Sequence, residues 1–339
     1  MKKTLFNILR IVISLGLIIF LISYLDLQKI GDTALLIWTQ HPLYLPIVIA
    51  GGLLLMLLEG YRLQQVLQVQ GIRLSLMRLT RYCFIGNFFN NILPTSIGGD
   101  VAKGFYIARY TGKKSEPFVA LVIVRIIAAA CLTVVTAIAI AFGYDQLPNS
   151  TPIYMVTLMV LVVAAAILFF TWRKFAVKFL IVLEPFKSKK LRKEIISVYR
   201  LFHSHRHFSR QLCLAALASL GIQFIYISVN FLIARGMNFN NINFSVFFIL
   251  IPLIAVTTMV PSIGGLGIRE GMYVYFFSGL MGKDGAGALG LIMLVLLVSM
   301  ALTGGIIFAI SGSLRKARPE PPGEVDFVEG NRLTVNTQK

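Results

Sequence analysis

Apolar residues in this chain gather into blocks about 20 residues long, the length a helix needs to cross a hydrocarbon core about 30 Å thick. The clearest blocks are Leu5–Leu25, Leu43–Leu58, Phe118–Phe142, Ile153–Trp172, Leu212–Ala234 and Ala288–Ile310. A shorter one, Phe244–Val260, leads into a glycine-rich stretch. Backbone polar groups find no water in lipid, so such spans must be helical. Only 14% of the residues are charged, against about 25% for a soluble domain. The expected fold class is therefore all-α, a polytopic transmembrane helical bundle. The first block begins with Lys2 and Lys3 as a signal peptide does. Arg10 interrupts it and no small-residue cleavage site follows Leu25, so it reads as an uncleaved helix. Cys83, Cys131 and Cys213 lie within or beside apolar blocks, odd in number and without metal-ligand spacing, and read as packing residues.

The net charge of +18 raises nucleic acid as a partner, but its distribution points to a membrane. Residues 173–210 hold 11 Lys/Arg against Glu184 and Glu194, and residues 62–114 hold another 8. The connections at 26–42, 144–151, 235–245 and 282–286 hold 1, 0, 1 and 1. Basic residues stay with cytoplasmic loops, so alternate connections read as inside and outside, with both termini cytoplasmic. No base-reading motif accompanies the charge, and no nucleic acid is expected. The loop 173–210 spaces Phe175, Phe179, Val182 and Leu183 helically among cations, as a helix on the inner leaflet does; a solvated linker is the alternative. The Pro-, Gly- and Glu-rich segment 316–339 reads as a disordered tail.

Two stretches break the alternation of sides. Residues 82–110 begin and end beside basic segments, and residues 244–281 begin and end outside. Each holds an apolar arm, a proline, a Gly-Gly pair and an aromatic-rich second arm. The topology closes if both are re-entrant hairpins, tolerated where buried in protein or lining a wet cavity. Their tips align as Leu93-Pro94-Thr95-Ser96-Ile97-Gly98-Gly99-Asp100 and Val260-Pro261-Ser262-Ile263-Gly264-Gly265-Leu266-Gly267. With their flanks they predict an inverted-topology repeat, about 43–142 and 212–310, within a transmembrane domain 1–315.

The tips carry a chemical expectation. Proline ends the first arm, paired glycines permit close approach of a ligand, and the second arm starts a helix whose first N–H groups attract anions. Tight helix packing is the other reading of the glycines. Arg125 sits inside a span, where an ionised group costs roughly 2.5–3.5 kcal/mol and needs a partner or a wet cavity. Glu59 and Arg62 are spaced to pair with each other, and Glu59 is also a candidate partner for Arg125. Asp100 and Lys103 follow the first tip, and Arg269 and Glu270 follow the second. Ser96, Ser262, Asn90 and Asn91 are polar groups at or before the tips. All of these, with Gly98, Gly99, Gly264 and Gly265, form the candidate substrate site.

The run Asn90-Asn91-Ile92-Leu93-Pro94 with Gly98-Gly99-Asp100, and Pro261 with Gly264-Gly265-Leu266-Gly267-Ile268-Arg269-Glu270-Gly271, resembles the lysylphosphatidylglycerol synthase transmembrane region. This flippase-like family also occurs as stand-alone proteins, and the resemblance covers about residues 1–315. It implies lipid movement across the cytoplasmic membrane. The implied partners are anionic-headgroup lipids and enzymes of envelope-lipid synthesis. Fused members carry an aminoacyl-transferase domain for which this chain has no room, so synthesis of an aminoacylated lipid is not implied.

Three functions compete. The first is translocation of an anionic phosphate-bearing lipid or lipid-linked glycan precursor. The second is a membrane glycosyltransferase using a polyprenyl-phosphate sugar, which needs an external carboxylate; Asp26 and Asp32 are six apart, and Asp145 stands alone. The third is transport of a small anionic solute. No Ser-His-Asp arrangement, metal set or nucleotide-binding loop is present, and His203, His205 and His207 read as surface charge of a basic loop. No cofactor or metal is expected, and a non-enzymatic role is favoured. The topology predicts that cysteines replacing Lys113 and Lys283 react with an impermeant maleimide from the cytoplasmic and external sides respectively. Cysteines at Thr95 and Ser262 should react poorly from either side. Labelling of position 113 from outside contradicts this topology.

Overall fold

The computed structural model describes residues 42–92, 98–113, 115–143, 209–257 and 267–313, with residues 35, 39, 154, 157 and 161 placed singly. Leu5–Leu25, most of Ile153–Trp172, the basic loop up to residue 208, the tail and both tips (93–97 and 258–266) lie outside the described residues. Among those described there are helices and no strands. The helices are α1 (Tyr44–Val69), α2 (Leu76–Ile92), α3 (Gly98–Thr111), α4 (Glu116–Gly143), α5 (Ser209–Gly236), α6 (Phe244–Thr257) and α7 (Ile268–Ser313). Four stretches are long and apolar enough to cross a membrane: Pro46–Val69, Glu116–Ala141, Arg210–Gly236 and Ile268–Ile310.

Local chemistry fixes where these helices end. After α1, Gly71 takes φ 66; its N–H donates to Gln68 O and that of Ile72 to Leu67 O. This is a Schellman termination, in which a left-handed residue lets the chain satisfy orphan carbonyls. Asn238 (φ 66) ends α5 the same way, with Asn238 N–H on Arg235 O and Phe239 N–H on Ala234 O. Lys113 Nζ adds a bond to Gln70 O at 3.2 Å, a cation at the negative end of α1.

Helix α7 is two helices. Gly282 breaks it with φ 70 and ψ 168, dihedrals that only glycine adopts freely. A Cβ added at Gly290 would lie 3.1 Å from Tyr273 Cβ, whereas a straight helix would hold those residues about 25 Å apart. The chain therefore doubles back, giving α7a (268–281) and α7b (283–313). The break falls where the sequence places an external turn.

Helices α1 and α5 run antiparallel. Gly51 faces Val229, Leu58 faces Gly221, and Arg62 reaches Ser219, so rising numbers on one meet falling numbers on the other. Small residues set the distances between helices. Gly304 and Gly305 of α7b let α2 approach, with Gly304 against the Phe84 carbonyl and Gly305 against the Phe88 ring. Two apolar cores result. One joins Leu63, Leu67, Leu79, Ile107 and Leu121 of α1–α4; the larger centres on Phe247, Ile251, Tyr273, Phe277 and Leu289. Helix α6 is apolar nearly all round, with Phe247, Ile249, Leu250, Ile251, Leu253 and Ile254 all buried, the signature of a helix enclosed by others.

Adding a methyl group at Gly304 forces α2 and α7b apart. Gly304→Ala should lower stability by about 1–3 kcal/mol, read as a drop in melting temperature in mild detergent. Gly279→Ala, where nothing lies within 4 Å of the added atom, should melt like the parent. Equal melting of both variants would contradict this packing.

Candidate functional site

Asp100 is the third residue of α3, where a carboxylate is stabilised by the helix dipole. It binds two cations. Lys103 Nζ lies 2.8 Å from Asp100 Oδ1, one turn along the same helix, and Arg125 Nε donates to Asp100 Oδ2 from α4. The Lys103 stem lies across Gly86 of α2, where a Cβ would sit 2.7–2.9 Å from Cγ, Cδ and Cε. A glycine there is what admits the lysine between α2 and α3. The Asp100 and Lys103 side chains are 15% and 13% exposed, while Arg125 is 49% exposed.

Glu59 of α1 lies within electrostatic reach of Lys103. The Cys83 thiol of α2 is buried in the core that joins α1–α4. The spacing of Glu59 and Arg62 predicts that they pair, but the structure turns Arg62 elsewhere: Nη1 donates to Ser219 Oγ of α5 at 3.3 Å. Its Nε is buried without a hydrogen-bond partner. Arg125 takes Asp100 rather than Glu59 as its carboxylate, because α3 and α4 adjoin where Phe118 covers Gly104.

The asparagines brace the break. Asn90 Oδ1 accepts from Gly99 N–H at 2.8 Å, so a side chain from α2 caps α3 across the tip. Asn91 Nδ2 donates to Asn87 O at 2.9 Å, and Asn87 Nδ2 is buried without a partner. A Cβ at Gly99 would strike Gly86 O and the Asn90 side chain. The N–H that the sequence offers to an anion at Gly99 is thus engaged internally, and Gly99 itself is a packing position. Gly98 opens α3 and is buried beside it. Ser96, Ser262, Gly264 and Gly265 lie outside the described residues.

The residues that open α7 are arranged differently. Glu270 is the third residue of α7, as Asp100 is of α3. Its Oε2 accepts from Gly267 N–H at 2.7 Å, the reciprocal arm of a capping box. Its Oε1 accepts from Arg269 Nε at 3.0 Å and Nη2 at 2.8 Å. Arg269 and Glu270 are buried. Beside them Tyr273 Oη donates to Asn230 Oδ1 at 2.5 Å, and Asn230 Nδ2 donates to Tyr226 O at 2.8 Å. Sequence reasoning overlooked Asn230 and Tyr226, though an amide inside the span 212–234 is itself a signal.

The structure therefore joins Asp100, Lys103 and Arg125 with Glu59 close by, and separately joins Arg269 to Glu270. The first group is an interhelical ion cluster with an exposed cation. The second is closed on itself. Removing Glu270 strands a buried guanidinium, so Glu270→Ala should cost about 3–5 kcal/mol of stability, measured by thermal unfolding. Parental melting would show that the pair is not structural.

The profile of a family described as the lysylphosphatidylglycerol synthase TM region matches residues 7–306. No curated protein and no solved structure gives a match.

Proposed function

From the premise that this chain belongs to the lysylphosphatidylglycerol synthase TM region family, we propose that it translocates an anionic phosphate-bearing lipid, or a lipid-linked glycan precursor, across the cytoplasmic membrane. One observation carries the reading. Arg125 is the tenth residue of α4, about 14 Å along a helix that crosses a core about 30 Å thick. At that depth its side chain is half-exposed. Beside it lie exposed apolar groups, Val101 and Phe105 of α3 with Phe118 and Val122 of α4. A cation flanked by open apolar surface at mid-membrane depth suits an amphiphile whose phosphate meets Arg125 while its tails stay in lipid. A small solute has no use for the apolar flank.

In this mechanism the phosphate takes over the hydrogen bonds that Asp100 makes to Arg125 and Lys103. Charge-assisted bonds of this kind form readily with either acceptor, so the cations pass from carboxylate to phosphate without being left bare. The internal partner keeps the empty site inserted in the membrane, and the exchange lets a headgroup through.

The architecture we propose is an inverted repeat with two re-entrant hairpins, α2–α3 and α6–α7a. Several features support it. Helices α3 and α7a have equal length, and each is followed by a glycine with left-handed φ, Gly112 (72) and Gly282 (70). Exchanging α1 with α5, α2 with α6, α3 with α7a and α4 with α7b preserves the main packing. Then α1–α2 becomes α5–α6, α2–α3 becomes α6–α7, α2–α7 becomes α6–α4, and α1–α4 becomes α5–α7. The equivalent helices α1 and α5 are antiparallel, as inversion requires. Helices α3 and α6 have 14 residues each, about 21 Å, short of a full crossing. On this register Asp100 matches Glu270, and the two Gly-Gly pairs are offset rather than equivalent.

Reconstituted protein should move fluorescent phosphatidylglycerol between leaflets, and Arg125→Gln should slow this at least about tenfold, near the effect of one charged hydrogen bond. Its melting temperature should stay near the parent's. Parental transport by the variant contradicts the reading, and movement of soluble phosphate in place of lipid makes the protein a solute transporter.

A further inference from the structure

Helix α5 carries its polar side chains on one face. Between Leu212 and Ala234 the residues with a hydroxyl or amide side chain are Ser219, Gln223, Tyr226, Ser228 and Asn230. At 3.6 residues per turn, Ser219, Gln223, Tyr226 and Asn230 fall within about 60° of one another, and only Ser228 stands apart. Leu217, Leu220 and Phe224 are exposed and centre about 120° away. From 219 to 230 the polar face runs about 16 Å, in the middle of a 28-residue helix.

The two ends of this face meet different halves of the bundle. Ser219 Oγ accepts from Arg62 Nη1 of α1 at 3.3 Å, and Asn230 Oδ1 accepts from Tyr273 Oη of α7a at 2.5 Å. A polar face of this length is unfavourable against hydrocarbon and belongs against protein or water. Protein does not use all of it. Among the described residues no hydrogen bond reaches the partly buried amide of Gln223. The Nε of Arg62, whose Nη1 holds Ser219, is buried without a partner. Thr133 and Thr136 of α4, by contrast, bond carbonyls one turn back on their own helix. A packed interface pairs its polar groups; unused donors turned inward at mid-membrane depth belong to a wet space.

We infer that this face of α5 lines a hydrated lane between the two halves, along which the polar part of the lipid crosses while Leu217, Leu220 and Phe224 stay in hydrocarbon. This deepens the lipid reading and rests on it. Arg125 attracts the phosphate. The uncharged groups of α5 then offer bonds that form and break without trapping the headgroup, as passage requires binding weak enough to leave.

The test uses the full chain in lipid nanodiscs and liposomes. Cysteines replace Gln223 and Leu220 one at a time, with the native cysteines kept and the modified peptide identified by mass spectrometry. A small water-soluble methanethiosulfonate should modify position 223 at least about tenfold faster than position 220, because the reactive thiolate forms only in water. Gln223→Leu should slow the movement of fluorescent phosphatidylglycerol about fivefold, the scale of one neutral hydrogen bond. Its melting temperature should match or exceed the parent's, since the amide it removes has no partner to lose. Ser228→Ala, off the polar face, should transport as the parent does. Equal reactivity at 223 and 220, or parental transport by Gln223→Leu, overturns the lane and leaves the lipid reading standing. Slow transport with a lowered melting temperature makes Gln223 a packing residue and also overturns the lane. Failure of the parent to move phosphatidylglycerol overturns the lipid reading itself, and the lane with it.

Discussion

An ionised group at membrane depth must have its charge balanced locally, and the ion cluster on Asp100 is how this bundle meets that constraint. Arg125 comes from the middle of an apolar helix and Lys103 from the far side of the carboxylate. Neither could stay charged in lipid alone. Asp100 reaches both because α3 begins just before it, after the chain has been broken and turned. The break, the Gly86 gap that admits the Lys103 stem and the Asn90 cap on Gly99 are all conditions for that one carboxylate to sit where it does.

The two halves of the bundle solve one local problem in two ways. A helix starting inside the protein leaves N–H groups without partners. In the second half Glu270 folds back on Gly267 and holds its neighbour Arg269, sealed beneath Tyr273 and Asn230. In the first half an amide from another helix does the capping, which releases the acid at the third position for an interhelical ion pair. Arg125, the cation of that pair, is half-exposed, whereas Arg269 is buried. On the proposed inverted repeat, this unequal chemistry suits a protein in which one half carries a headgroup and the other holds the frame.

Much of the fold was legible from hydrophobic length. The spans at 43–58, 118–142 and 212–234 appear as α1, α4 and α5, with α1 running on to Val69 and the other two longer at both ends, because polar residues such as Arg62 continue a helix once packing supports them. Length and charge alternation also located the reversal near 282. The site was legible in its members and not in its pairings. Arg125, Asp100 and Lys103 stood out as charges in apolar surroundings, yet spacing along one helix suggested Glu59 with Arg62, while contacts between helices decided otherwise. The Gly-Gly pair of the second tip lies outside the described residues; what the structure adds is an acid at the third position of both α3 and α7. Asn230 went unnoticed because a single amide barely alters the hydropathy of a long span.

The central claim is that the headgroup meets the first half of the bundle, at Arg125, and not the closed cluster at Arg269. Photocrosslinking with a phosphatidylglycerol analogue that carries a diazirine in its headgroup tests this most directly, with the adducts mapped by peptide mass spectrometry. The account predicts adducts on the peptides of α3 and α4 that flank Asp100 and Arg125, lost when unlabelled phosphatidylglycerol is in excess. Adducts concentrated on α7 around Arg269, with α4 unmodified, would contradict it.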